Sequence, residues 1–359
     1  MRFKEDIDKV RERLYAFWER EIIDRVCISV IAPNKTGANI SMFRNDFSGN
    51  AQALKDYWED PQTIYKNNIA RLEGTYLGGE TLPVIFQNYG PSGHSSYFGA
   101  KPVYSNDTIW FNPVWNCLED TGNTYTEEIL RKQLSIAKYL TDNARDDYFV
   151  GMPDNCGTMD AICHLYGTEN VLMDMITCPE LIKKAVDTVN RSWEKTNEMF
   201  YNISEKHNSG GVHAWMHLLA PGRLTHMQCD MSVMISEQFY EEFVIPELEQ
   251  QMQWLDYPVY HFDGIEQLRH LPYLLNLEKL KAIQWTYVAG QPSAAHFIPA
   301  LKQIQRAGKS LIIMCPACDI PVLLDELSAK GLYIHTEVQT VDQAKEIIAY
   351  TYENSRERV

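Results

Sequence analysis

Residues 259–337 run VYHFDGIEQLRHLPYLLNLEKLKAIQWTYVAGQPSAAHFIPALKQIQRAGKSLIIMCPACDIPVLLDELSAKGLYIHTE. Four short apolar runs punctuate this stretch, at 259–263, 282–286, 310–315 and 332–337. They are rich in Ile, Val, Leu and aromatics, the composition of buried strands. Helical segments at 265–275, 295–307 and 320–330 separate them, and another at 340–352 follows. Strands that alternate with helices imply parallel pairing, because a parallel strand needs a crossover.

Working toward the N-terminus, the same pattern continues at 212–217, 148–153, 84–89 and 26–31, which makes eight predicted strands. The segment 179–207 places Leu181, Ala185, Val189 and Trp193 at fourfold spacing, a single apolar stripe. The segment 236–256 opens on Ser236, a good N-cap. Eight strands with helical crossovers predict a closed (β/α)8 TIM barrel with long insertions after the first two strands. No Gly-rich turn of the GxGxxG kind follows the first strand, which weighs against a doubly wound sheet. The chain is read as a single domain, 1–359, with 1–24 (MRFKEDIDKVRERLYAFWERE and the residues after it) as an amphipathic helical extension. The stretch 88–115 lacks a period and is expected at the barrel rim.

The 359 residues carry a net charge of -15, which disfavours nucleic acid and anionic membranes as partners. No apolar run reaches about 18 residues, so no membrane span is expected. The charged first helix is not a signal peptide, and the expected location is the cytoplasm. Eight scattered cysteines fit free thiols or metal ligands there rather than a disulfide framework.

In a barrel, side chains at strand C-termini face the active site. Those positions hold Asn88, Asp154, His217, His261, Asp263, Trp285, Cys315, His335 and Glu337. His261 and Asp263 share one strand face and can hold a divalent metal or orient a proton-transfer group; a buried His bonded to a structural Asp is the bland alternative. For Cys315-Pro-Ala-Cys318 three readings compete: metal ligand, redox pair, or inert core. His335 and Glu337 share a face, and His213 and His217 are expected to. Asp230 is either functional or a turn residue. Asn88, Tyr89, Trp215 and Trp285, with Tyr287, Phe86 and Tyr97 nearby, are candidates to line a substrate pocket.

The blocks VIFQNYGPSGHSSYFGAKPVYSNDTIWF, FVGMPDNCGTMDAICHLYGTENVLMDM, APGRLTHMQCDMSVMISEQFYEEFVIPEL and VYHFDGIEQLRHLPYLLNLEKLKAIQW resemble the uroporphyrinogen decarboxylase-like superfamily, in its branch related to corrinoid-dependent methyltransferases. The resemblance implies the (β/α)8 barrel already reached. Decarboxylases of this superfamily carry Arg-Gln-Ala-Gly-Arg after the first strand. Here that region reads SVIAPNKTGANISMFR, with only Lys35 and Arg44 basic, so a true uroporphyrinogen decarboxylase is not expected. For the methyltransferase branch the resemblance implies methyl transfer between a small methylated substrate and a corrinoid (cobalamin) held by a partner protein. It implies zinc on a His-x-Cys and a later Cys, which here fall on His261, Asp263 and Cys315, with Asp263 departing from the pattern. Asp263, Glu337, His217 and Asp154 are the catalytic candidates. A decarboxylase, a metal-dependent lyase and a non-catalytic tetrapyrrole- or corrinoid-binding protein are the alternatives. A homodimer is left open.

Overall fold

The computed structural model describes residues 1–35, 37–42, 47, 49–122, 124–155 and 157–358. Arg44 and Cys156 lie outside the described residues. The strands are β1 (Cys27–Pro33), β2 (Thr75–Gly79), β3 (Val84–Phe86), β4 (Pro102–Tyr104), β5 (Ile109–Phe111), β6 (Phe149–Gly151), β7 (Gly211–His213), β8 (Leu218–Ala220), β9 (His226–Met227), β10 (Val259–Phe262), β11 (Ala282–Trp285), β12 (Ser310–Met314) and β13 (Leu332–Glu337). Each of the eight predicted segments overlaps one of them.

Their pairing departs from expectation. A seven-stranded, mostly parallel sheet runs β2-β1-β13-β12-β11-β10-β9, and β3-β6, β4-β5 and β7-β8 form separate pairs. The expected closed TIM barrel is therefore not formed as a hydrogen-bonded ladder among the described residues. Local chemistry explains the interruption. β1 is already paired on both sides, with β13 in parallel and with β2 antiparallel, so β3 cannot join it. The tight return at Gly79 has φ +58, and a Cβ there would sit 1.9 Å from the Ile28 oxygen, so glycine is required. β7 turns back at once into β8, leaving β9 to pair with β10. Across the gap, the Met152 N–H donates to the Val212 carbonyl at 2.9 Å, and the Asn208 side chain spans Val150 N and O.

Alternation along the strands sorts two apolar layers. Val259, Ala282, Ile312 and Tyr333 face an inner cluster, whereas Tyr260, Phe262, Ile283, Trp285, Leu311, Ile313 and Ile334 face the helices. The helix Ile7–Trp18 is no appendage: Ile7, Val10, Leu14, Phe17 and Trp18 pack into the inner cluster. The Trp18 indole N–H donates to Leu219 O at 2.9 Å. Behind this helix, Glu80 is fully buried between Arg25 (2.7 Å) and Arg13 (3.3 Å), and it accepts the Ile28 N–H. Buried charge this close requires such complete pairing.

The 236–256 helix is capped by Ser236 as expected. It widens into a π turn at Tyr240–Val244 before continuing as Ile245–Trp254. Pro246 has no N–H to give to a regular α turn there. The described cysteines are all free thiols. No helix of the described residues is long and apolar enough to cross a membrane.

Candidate metal centre and adjoining cavity

The C-terminal ends of the parallel strands converge on one cluster of polar groups, as parallel sheets favour. His261 ends β10 and Asp263 follows it; Asp230 lies just beyond β9. One ligand atom from each of these three lies within 4.8 Å of the others. His261 Nδ1 contacts Gln284 Oε1 and lies 3.2 Å from Thr286 Oγ1. Gln284 Oε1 can only accept, which places the proton on Nδ1 and leaves Nε2 with a free lone pair. Gln228 Nε2 donates to Asp230 Oδ2 at 3.0 Å. Asp160, in the first turn of the helix Thr158–Tyr166, accepts the N–H groups of Asp230 and Met231 at 2.9 and 3.0 Å. Two of the three candidate ligands, His261 and Asp230, are thus held by neighbours, and the Asp263 backbone N–H donates to Gln267 Oε1 at 3.2 Å.

A chain of neutral imidazoles backs the cluster. The Met216 N–H points at His213 Nδ1 (3.4 Å), and His213 Nε2–H donates to His226 Nδ1 (2.8 Å). His226 Nε2–H then faces Gln228 Oε1 (2.9 Å) and Asp154 Oδ1 (3.2 Å). Trp215 stands edge-on to His213, His226 and His261, with centroids 4.8–5.5 Å away. Its buried indole N–H leans toward Asp154 without reaching hydrogen-bond geometry.

Desolvation sets the charge states. It pushes the Asp154 carboxyl up to about 6, with His261 pulling the other way. It holds His226 down to about 4, and lowers His213 and His261, both of which His226 lowers further. Asp230 is exposed on its outer side, yet the protein around its inner side and the carboxylates of Asp160, Asp263 and Asp154 push it upward. Among the described residues no lysine or arginine pairs with Asp154, Asp230 or Asp263. The cluster is therefore an uncompensated acidic centre with one imidazole, a donor set that suits a borderline or hard divalent cation.

A cavity of about 440 Å³ opens beside it, lined in part by Trp215, His217, Thr286, Cys315, His335 and Glu337. A larger depression of about 910 Å³ lies between Lys35, Ala38, Met42 and Phe47 on one side and the helix Pro61–Gly74 on the other, away from every metal-competent group named here.

The sequence-predicted residues divide accordingly. His261, Asp263, Asp154 and Trp215 meet at the cluster, and His217 and Glu337 line the cavity. Cys315 is not one of the three converging groups: β12 turns Ile312 and Met314 inward, and Cys315 packs with the outer layer while touching the cavity edge. Burial pushes its thiol up, and Asp319 adds to this. Trp285 is turned outward by the same alternation and stacks on Phe262, centroids 5.1 Å apart. Tyr89 is buried and donates to Glu59 at 3.1 Å, and Asn88 accepts the Gly90 N–H. Neither lines the cavity. His213 and His217 do not share a strand, because His217 lies in the turn after β7. Sequence reasoning missed His226, Gln228, Gln284 and Asp160. Only the period-two spacing of His226, Gln228 and Asp230 offered a signal for any of them.

No protein-family model matches the sequence, and comparison with curated proteins gives no match. Among solved structures the chain is similar to a methyltransferase from Methanosarcina mazei, with a TM-score of 0.61 and 12% identity. The match covers 96% of this chain and 98% of that one, and it shows a shared fold.

Proposed function

We propose that this protein is a methyltransferase that moves a methyl group between a small methylated substrate and a corrinoid carried by a partner protein, with a divalent metal such as zinc held by Asp230, His261 and Asp263. The observation that carries this reading is the convergence of those three ligand atoms at the strand ends, beside a cavity of small-molecule size. The fold shared with the Methanosarcina mazei methyltransferase supports it. So does the resemblance to the uroporphyrinogen decarboxylase-like superfamily, in which the parallel strands would form an interrupted (β/α)8 barrel.

The chemistry is a displacement at the methyl carbon. A corrinoid brought by the partner protein would supply the nucleophile at the methyl carbon, and the electron pair of the broken carbon–heteroatom bond would stay on the heteroatom. That leaving group is poor until it is protonated or bound to a Lewis acid, which is what the metal would supply when bound. Gln284 fixes the His261 tautomer, and Gln228 and Asp160 fix Asp230, so the donor set is organised before substrate arrives. Asp154, at the end of the histidine chain, is placed to hold the proton that the departing heteroatom takes up. Trp215 walls the cluster against water. Glu337, at the cavity rim, meets the substrate's outer end. The decarboxylase alternative is disfavoured, because no lysine or arginine is among the described residues that line the cavity to hold a polycarboxylate.

The test is loss of the Co(I) cobalamin absorbance when zinc-loaded protein meets a panel of methoxy, methylamine and methylthiol donors. At least one donor should methylate the cobalamin, and His261→Ala should slow it by roughly 100-fold or more, the scale of a lost Lewis acid. No transfer from any donor sinks the reading.

A further inference from the structure

Two histidines outside the metal cluster remain unexplained by the reaction. His217 has φ +52, a left-handed conformation uncommon outside glycine that persists only where the surrounding structure fixes it. Its ring stacks on His335, with centroids 5.5 Å apart and planes 18° apart. His217 Nδ1 lies 3.0 Å from the Leu82 carbonyl, which can only accept, so Nδ1 carries the proton. The His335 assignment follows from a longer chain. Thr81 Oγ1 donates to Gly78 O at 2.7 Å, so it receives the Ser29 hydroxyl proton at 2.7 Å. Ser29 Oγ is then left to accept from His335 Nδ1 at 2.9 Å. Both rings therefore present bare Nε2 lone pairs, and both line the 440 Å³ cavity. Burial keeps them neutral, holding His335 down to about 4 and His217 below its ordinary range. Trp215, Tyr287 and Glu337 are among the other lining residues, with an apolar remainder that includes Ile31, Met42 and Met314. No lysine or arginine is among the described lining residues.

We infer that His217 and His335 form a twin-acceptor subsite that selects a small alkylammonium with at least two N–H donors, a primary or secondary methylamine in its protonated form. Two lone pairs need two donors. Two aromatic residues and Glu337 in the lining favour a cation, and Glu337 repels a carboxylate or phosphate. This deepens the methyl-transfer reading and rests on it for the reaction, in which a bound ammonium, already protonated and without a lone pair for the metal, would leave as the neutral amine; the binding itself does not depend on that reading. A quaternary ammonium would keep the cation–π attraction and lose both hydrogen bonds, so it separates the twin acceptors from the aromatic wall.

The experiment is calorimetric titration of zinc-loaded protein with methylammonium, dimethylammonium, tetramethylammonium and acetate. His217→Asn, which tolerates the left-handed backbone, and His335→Phe, which keeps a stacking ring, are run beside the wild type. Methylammonium and dimethylammonium should bind; tetramethylammonium and acetate should be weaker by roughly tenfold or more, the worth of a hydrogen bond to a charged group. Each variant should lose a similar factor for methylammonium with unchanged zinc content and circular dichroism. Tetramethylammonium or acetate binding as tightly as methylammonium, no binding by any amine, or folded variants with wild-type affinity would overturn the inference. Should a variant not fold, the wild-type ligand series decides alone. Protein that binds methylammonium yet leaves Co(I) unmethylated keeps this inference and loses the methyl-transfer reading.

Discussion

Side-chain alternation on β12 and β10 decides which residues can share an ion. Val259 and His261 point inward on β10, and Asp263 continues that side; on β12 the inward residues are Ile312 and Met314, so Cys315 is one position out of phase. Zinc content should accordingly be near one per chain in wild type and in Cys315→Ser, and below roughly a tenth of that in Asp230→Asn or His261→Ala when measured by elemental analysis. Equal zinc in all four proteins would sink the three-residue centre. The neighbours that orient the ligands matter next. Gln228→Ala and Gln284→Ala should each weaken zinc by about 10–100-fold in a chelator competition, the usual range for an orienting partner. His261 and Asp263 were legible in the sequence because two residues apart on a strand means one face. Asp230 was visible only as an ambiguous loop acid, because its register depends on β9, a two-residue strand with no apolar run to announce it.

Elements carry these residues, and one close approach matters most. Gly157, just before the helix Thr158–Tyr166, leaves no room for a Cβ, which would lie 1.9 Å from the Gln228 carbonyl oxygen. Gly157→Ala must push that helix, and Asp160 with it, off the 228–231 loop. The expected result is weaker zinc binding together with a lower urea midpoint; an unchanged zinc affinity would show that the loop holds itself. The N-terminal helix makes a second case. Leu14 is fully buried in the inner cluster, so Leu14→Ala should cost about 2–5 kcal/mol in urea unfolding, against near zero for a true extension. The apolar stripe of that helix was plain in the sequence, but its target was not, because nothing local says that an amphipathic helix plugs a sheet interior. The eight strand segments were legible from their apolar runs. Their pairing was not, since β2, β8 and β9 are too short or too glycine-rich to show a pattern and they claim partners that a closed barrel would have used.

At the scale of the whole molecule, buried titratable groups set the pH response. Burial depresses eight histidines: His94, His164, His213, His217, His226, His261, His270 and His335. Their folded values lie below the unfolded value near 6.5, so the unfolded chain takes up protons first as pH falls. The stability they contribute is present above about pH 6.5 and is lost as pH falls toward 4, where His226 and His335 titrate in the folded state. Asp154, raised to about 6, and Glu247, raised to about 8, act oppositely and lose their contribution as pH rises through those values. The histidines are more numerous, so the urea midpoint should climb steeply from about pH 4 to 6.5 and then decline gently toward 8. Glu247→Gln should flatten the alkaline decline. A midpoint that is level between pH 4 and 7 would contradict the buried, neutral histidine assignment. The same neutrality leaves the acids of the strand-end cluster without a cationic side-chain partner among the described residues, which is the basis of the proposed metal centre. The most direct test of that centre is X-ray absorption at the zinc edge of the loaded protein. A centre of Asp230, His261 and Asp263 gives a shell of nitrogen and oxygen only, at about 2.0–2.2 Å. A sulfur scatterer at about 2.3 Å would place Cys315 on the metal and contradict it.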